Sequence, residues 1–407
     1  MTGLGRAMDP NGVSDRTISV RGGSENVPMR SLFGPPTSKE AADRAAREWS
    51  DAVDHAAAVG ARHHIVPRFL LARFANPQGR LRVRNRVTGS GSIRGIGDMA
   101  VRDFYTAVTD ARVLDASFET LLSEIEGAAA EVLHTHLDAT AFARPRPLSD
   151  SERFKIDTFV SMQYVRGMRV RRGLEIMTDY GVKLLNQDKL SVTDIDELDI
   201  VPHSNDHLRM IAPLSEHAFE ELAMRSLTIV TIDQPLLITG DEPVVLLHEG
   251  PRPKVNPNGY ANVSGPGIDP RDIVQFHSPH GGFGGANEIA LAVSPTSILV
   301  YGPRHDGWVG PPQRLSGREA TAAAKEHNAT VIDGAIDWVA AHPDHAWFKT
   351  VKMPPPTPIM SIIDGGSQMA RRANSSKDRK PINRLRADDV NIEPLPEGPT
   401  DSVERAG

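Results

Sequence analysis

Leu227-Thr228-Ile229-Val230-Thr231-Ile232, then Asp233-Gln234-Pro235, then Leu236-Leu237-Ile238-Thr239 and, four residues on, Val244-Val245-Leu246-Leu247 set the fold class. β-Branched and large apolar residues fill these runs, and turn-forming residues separate them, as in strands of a packed sheet. The pattern returns at Ile289-Ala290-Leu291-Ala292-Val293 and Ser297-Ile298-Leu299-Val300-Tyr301. Between the two blocks, Glu249 to Gly285 is dense in Gly, Pro, Asn and His, which predicts a long loop over one end of the sheet.

Upstream the period changes from two to 3.6. Asp115 to Leu137 places Phe118, Leu121, Leu122, Ile125, Ala129, Val132 and Leu133 on one face. Ser149 and Glu152 make a capping box, in which hydroxyl and carboxylate satisfy each other's orphan amides. That box predicts a helix to about Leu185, with Ile156, Phe159, Val160, Val170, Leu174 and Met177 as its stripe. Further helices are expected at Pro67–Phe74, at His217–Arg225, and from a box at Ser316–Glu319 to about Asn328. Apolar and basic residues alternate from Leu81 to Val87, a strand closed by Thr88-Gly89, and Phe104-Tyr105 begins or ends another. The sum is an α+β fold with helices packed on a mostly antiparallel sheet. One compact domain is expected over residues 37–353, beginning with an Ala-rich helix from the box Thr37–Glu40 to near Gly60. Residues 1–36 and 354–407 are too polar and too rich in Gly, Pro and charge to offset ordering entropy, and read as disordered tails.

The chain has 407 residues, a formal net charge of −6 and no cysteine. That length can bury a core unaided, and the missing thiol excludes disulfides, thiolate nucleophiles and cysteine-held metals. No apolar run approaches the roughly 20 residues of a membrane span, and Met1–Pro36 lacks the apolar core of a secretory signal. A cytoplasmic protein with no membrane partner is expected. Gly281-Gly282-Phe283-Gly284-Gly285 precedes neither a Lys-Ser/Thr pair nor a helix, and no Gly-x-Ser-x-Gly elbow occurs, so neither a phosphate loop nor a serine hydrolase is indicated.

His63-His64-Ile65-Val66-Pro67-Arg68-Phe69-Leu70-Leu71-Ala72-Arg73-Phe74 resembles the signature of a bacterial family catalogued as domain of unknown function 4238. Further landmarks follow in that family's order: Asp103-Phe104-Tyr105, Ile125-Glu126-Gly127, Leu148 to Arg153, Gln163-x-x-Arg166, Ile238 to Val244, Ser294-Pro295 and Asn328. The resemblance spans about His63 to Ala341. The family pattern has Ser-Asp-Asn-Pro where this chain has Gly240-Asp241-Glu242-Pro243, which retains the aspartate and changes its neighbour. No activity or cofactor comes with the resemblance.

Function therefore rests on side chains. On the helix after Ser149, Gln163 and Arg166 share the buried stripe with Phe159. A guanidinium there cannot deprotonate and needs a partner, for which Asp241 and Glu126 are the candidates. His63 and His64 precede the Pro67 helix and diverge, so they cannot chelate one ion together. His64 is the one expected to turn inward, towards Asp241 or Asn328, as general base or single metal ligand. Three readings stand open. In the first, His63, His64, Glu126, Gln163, Arg166, Asp241 and Asn328 line a pocket for a polar or anionic ligand, with His64 and Asp241 catalytic in a hydrolase. In the second, the His-His motif belongs to a metal-dependent nuclease of the His-Asn-His or Ala-His-His type. In the third, the same residues are a structural network of a non-catalytic interaction protein, Asn328 serving as a helix C-cap. Arg166, Arg169, Arg171 and Arg172, together with the run Arg371 to Arg386, are the only basic concentrations that nucleic acid would use. Without interleaved aromatics they read as a solvated face and a soluble tail.

Overall fold

The computed structural model describes residues 63–99, 101–102, 107–108, 114–115, 117–137, 146–191, 200, 202, 204–247, 274–278, 282–305, 307–364 and 390–394. The expected tail 1–36, the Thr37–Gly60 helix, Phe104-Tyr105, the Arg371–Arg386 run and most of the Glu249–Gly285 loop lie outside them. In chain order the elements are β1 (His63–His64), α1 (Arg68–Phe74), β2 (Arg80–Asn85), β3 (Gly91–Gly95), β4 (Val101–Arg102), β5 (Ala107–Val108), β6 (Leu114–Asp115), α2 (Ser117–Leu137), α3 (Asp150–Val165), α4 (Met168–Leu185) and α5 (Ser204–Ala223). There follow β7 (Arg225–Ile232), β8 (Thr239–Gly240), β9 (Val244–Leu247), β10 (Val274–His277), β11 (Glu288–Ser294), β12 (Ser297–Arg304), β13 (Gln313–Leu315), α6 (Gly317–Gly334), β14 (Trp338–Ala341), α7 (Ala346–Thr350), β15 (Met360–Asp364) and β16 (Val390–Pro394).

The β-rich runs build a five-stranded sheet in the order β13-β7-β12-β11-β9, antiparallel except for the β13/β7 pair. A four-stranded antiparallel sheet, β3-β2-β14-β8, stands beside it. The two meet at one turn: Asp241-Glu242-Pro243 leaves β8 of the smaller sheet and enters β9 of the larger. One large core joins both sheets to α1, α2, α3, α5 and α6, through residues such as Leu70, Phe74, Phe159, Leu227, Leu299 and Val331. Helices on mostly antiparallel sheets are the expected α+β class. Among the described residues no helix is long and apolar enough to cross a membrane.

Capping chemistry at Ser149 is as read, with Ser149 Oγ accepting from the Glu152 amide and Glu152 accepting from the Ser149 amide. At Ser316 no side-chain cap forms, yet α6 runs past Asn328 to Gly334. The long helix predicted from Ser149 to Leu185 is two helices. Arg166 ends α3, Gly167 is extended at φ −60, ψ 154, and α4 restarts at Met168. The restart resets the helical phase, so α4 buries Ile176 and Tyr180, leaving Val170, Leu174 and Met177 partly exposed.

Two further expectations change. Leu236 to Ile238 does not join a ladder: the Leu237 amide goes to Pro295 O, and side chains of α6 and α7 serve the rest, as described below. The stretch past Pro354 is not a tail up to Asp364. Met360–Asp364 pairs antiparallel with β10 and parallel with β16. Ile359, Met360 and Ile362 there form a small second core with Ile176 and Tyr180 of α4. The prolines before it are held too, since Arg86, fully buried, donates from Nε to Ile332 O (2.6 Å), from Nη1 to Pro354 O and from Nη2 to Pro355 O (2.9 Å).

Candidate functional site

The end of α3 turns two polar side chains inward, as its stripe predicts. Arg166 is 2 % exposed and Gln163 1 %. Arg166 donates from Nε (3.0 Å) and Nη2 (2.5 Å) to Gln163 Oε1, and from Nη1 to Glu126 Oε1 of α2 (2.7 Å). Gln163 Nε2 donates in turn to the carbonyl of Ile65 (3.0 Å), immediately after His64. The network thus ties α2, α3 and the start of α1 together, and its charge is balanced by a carboxylate that keeps 24 % of its side-chain surface in water.

Asp241 is not part of it. Its carboxylate accepts from the amides of Ile336 (3.0 Å), Asp337 (2.5 Å) and Trp338 (3.2 Å), fixing the entry of β14. Three amides can only donate, so they hold an acceptor there although burial pushes the Asp241 carboxyl up to about 6. Asn328 is no C-cap. It faces inward from the middle of α6, accepting from the Ile238 amide (3.1 Å) and donating to Leu236 O (2.8 Å), which His345 Nε2 also reaches at 2.9 Å. The two side chains replace the missing ladder partners of Leu236–Ile238. His63 and His64 pair in register with Arg102 and Val101, and the His64 side chain is half-buried. Of the residues expected to converge, Gln163, Arg166 and Glu126 do, whereas Asp241 and Asn328 each anchor a different piece of backbone.

A second charged cluster, absent from the sequence reading, sits at the start of α4. Gly167 offers no side chain to cap this helix. Glu242, from the turn between the sheets, supplies the cap: Oε1 accepts from the Arg169 amide at 2.7 Å, and the Met168 amide also donates to this carboxylate. A Cβ on residue 167 would lie 2.4 Å from Glu242 Oε2, so a glycine there lets the carboxyl lie against the backbone. Burial, with Asp241 beside it, pushes Glu242 up to about 8. Arg169 sends Nη2 to Gly334 O at 2.6 Å, at the end of α6. Its Nη1 is buried and has no hydrogen-bond partner among the described residues. Tyr164 of α3 faces Arg169 and Glu242, and burial pushes its phenol up to about 12. Arg86, Asp241 and Asp333 complete the charges around Arg169 and its neighbours.

The arginines of this segment are therefore not one solvated face. Arg166 and Arg169 turn inward, and Arg171 and Arg172, each about a fifth exposed, share Glu175. Among the buried histidines elsewhere, His207 on α5 and His327 on α6 are each held down to about 4, by burial and, for His207, by Arg171 as well.

The family model described as "Protein of unknown function (DUF4238)" matches residues 62–345, well over half of the chain. The chain belongs to the DUF4238 family. No curated protein and no solved structure matches it. The DUF4238 match takes in both arginine networks and the turn between the sheets, and stops before β15. What sequence reasoning missed in this DUF4238 chain is Arg169, Glu242 and Tyr164. The available signal was Gly167, whose place between Arg166 and Met168 marks a helix break and an unfilled cap.

Proposed function

We propose that this protein binds a small anionic or polar ligand at the Arg169–Glu242 cluster, and that Gln163, Arg166 and Glu126 are scaffold. One observation carries the reading: among the described residues the buried Nη1 of Arg169 has no acceptor. A guanidinium cannot relieve this by losing its proton, and an unmet buried donor costs about 1–3 kcal/mol, more when charged. A ligand oxygen beside Nη1 removes that cost. Arg169 and Tyr164 both keep part of their surface exposed, which gives the ligand an approach from solvent. The Arg166 donors, by contrast, are already spent on Gln163 and Glu126.

Catalysis by His64 with Asp241 is not part of this reading, because both Asp241 oxygens are engaged by backbone amides. The nuclease reading has no observation behind it: among the described residues no group of three or more His, Asp or Glu is placed to hold a metal ion. Native mass spectrometry of the full chain and of Arg169→Met tests the proposal, together with thermal midpoints against a panel of small carboxylates and phosphates. A bound mass or an anion-induced rise, lost in the variant, is expected. Identical behaviour of the two proteins across the whole panel would sink it.

A further inference from the structure

Strand β2 carries Arg80, Arg82 and Arg84 on one face, with Arg86 following in the same phase, while Leu81 and Val83 fill the core on the other. Residues 343–355 run along the arginine face. Arg82 Nε donates to Pro343 O (3.0 Å), Arg84 Nη1 to the carbonyls of Phe348 and Lys349 (3.4 Å to each), and Arg86 to those of Pro354 and Pro355. The segment they hold brings Lys349 and Lys352 to the same place, both exposed. The sequence keeps these cations in two separate runs, which the fold brings together.

These contacts satisfy donors and leave the charge, because a carbonyl accepts a hydrogen bond without neutralising the cation. Among the described residues none of Arg80, Arg82, Arg84, Lys349 and Lys352 forms an ion pair, whereas Arg153, Arg166, Arg171, Arg172 and Arg304 each meet a carboxylate. Acids are scarce nearby. Residues 63–97 contain none, Asp98 lies with Arg80 against Gly95, and Asp344, the single acid of residues 338–360, stands 3.9 Å from His342. Asp333 balances Arg86 at the far end. On a chain with a formal net charge of −6, this face is a local excess of positive charge that calls for an anionic partner.

Two exposed apolar side chains border the cations. Ile93 of β3 stands directly across from Arg82, and Trp347 of α7 is 43 % exposed, its ring leaning on His345 at 6.0 Å between centroids. Alternate residues of a strand recur about every 6.7 Å, which sets the arginines out in a row suited to successive phosphates. An indole open to water beside such a row is a stacking platform for a base. The cations lie along a strand and the segment covering it, not on a protruding element that could enter a duplex groove.

We propose that the β2–α7 face binds a single strand of nucleic acid, with Arg80, Arg82, Lys349 and Lys352 on phosphates, Arg84 adding its charge behind them, and Trp347 stacked on a base. The Arg169 site plays no part in this. Contacts to phosphates and to a π-face carry little sequence information, so binding is indifferent to base order.

Fluorescence anisotropy of the full chain with a labelled oligothymidylate of about 15 nucleotides, over a salt series, tests it. Expected is binding at low salt with a slope of log K against log salt of about −3, from four contacts at about 0.7 each. The double variant Lys349→Gln/Lys352→Gln should bring the slope to about −1.5, and Trp347→Ala should weaken binding about tenfold at an unchanged slope. The two lysine changes fall on exposed side chains and keep the test in force if Trp347→Ala folds poorly. Absence of binding at low salt overturns the proposal. So does binding that the lysine variant leaves unchanged, which then comes from elsewhere, such as the Arg371–Arg386 run. Polyglutamate or phosphatidylserine vesicles displacing the strand as well as unlabelled strand does overturns the choice of nucleic acid, and an unchanged affinity in folded Trp347→Ala overturns the stacking.

Discussion

Arg166 and Arg169 lie three residues apart, on either side of Gly167, and the fold treats them differently. Arg166 meets an amide oxygen and a carboxylate that come from α3 and α2, and its network closes on the carbonyl of Ile65. Arg169 meets one backbone carbonyl and a carboxylate that accepts from its amide instead of its guanidinium. The same residue type, turned inward by one helix pair, is thus a finished joint in one place and an unfinished one in the other. What separates them is where acceptors are supplied: side chains placed by helix periodicity for the first, a turn 73 residues away for the second.

The contrast can be broken most forcefully at the turn itself. Asp241→Ala strips three buried amides of their acceptor, and at about 1–3 kcal/mol each the loss should reach about 4 kcal/mol, read as a fall in the denaturant midpoint at unchanged slope. Arg166→Ala comes next. It leaves Gln163 without its donor and Glu126 without its cation, towards or below the low end of the roughly 3–5 kcal/mol for a broken buried pair, because Glu126 is partly solvated. Arg169→Met should differ from it by lowering stability by less than about 1 kcal/mol or raising it, since the change removes an unmet donor along with one hydrogen bond. If the two arginine variants lose equal stability, the distinction between closed and open networks fails.

The pH effects sharpen the same contrast. The Glu242 carboxyl holds its proton to about 8 when folded, against about 4.5 ordinarily, so the folded state binds more protons and stability should decline as pH rises between those values. Glu242→Gln should flatten that decline. The histidines act oppositely. His207 and His327, held down to about 4 against 6.5, leave the unfolded chain binding more protons, so stability should fall as pH drops through that interval. His327→Leu should soften the acid limb without touching the alkaline one. Urea midpoints across the pH range separate the two limbs.

Much of the fold was readable because burial and period coincide. The alternation in β2, the stripe of α2 and the box at Ser149 each follow from a local pattern that tertiary contacts did not overrule. The inward set of Gln163 and Arg166 follows from the same periodicity, which leaves Glu126 and Asp241 as candidate partners; Glu126 is the one Arg166 meets. Beyond Gly167 the helical phase restarts, so unbroken periodicity puts Arg169 on a solvated face although its guanidinium turns inward. Residue chemistry offers Asp241 a side-chain partner, whereas its partners are backbone amides, which nearly every residue carries and no sequence pattern advertises. Asn328 resembled a terminator because the helix was expected to end beside it. In fact α6 continues for six more residues, and the amide side chain repairs backbone that Pro235 and its neighbours leave without a ladder.

Arg86 shows that the folded unit continues past the family match. Two of its three carbonyl acceptors belong to Pro354 and Pro355, and the strand they deliver covers Ile176 and Tyr180. A polypeptide trimmed at residue 345, where the family match ends, would strand a cation in the interior and bare the inner face of α4. The folding unit therefore outruns the homology unit by at least about twenty residues, and anyone shortening this chain for expression should keep β15 together with β16, the strand that pairs with it.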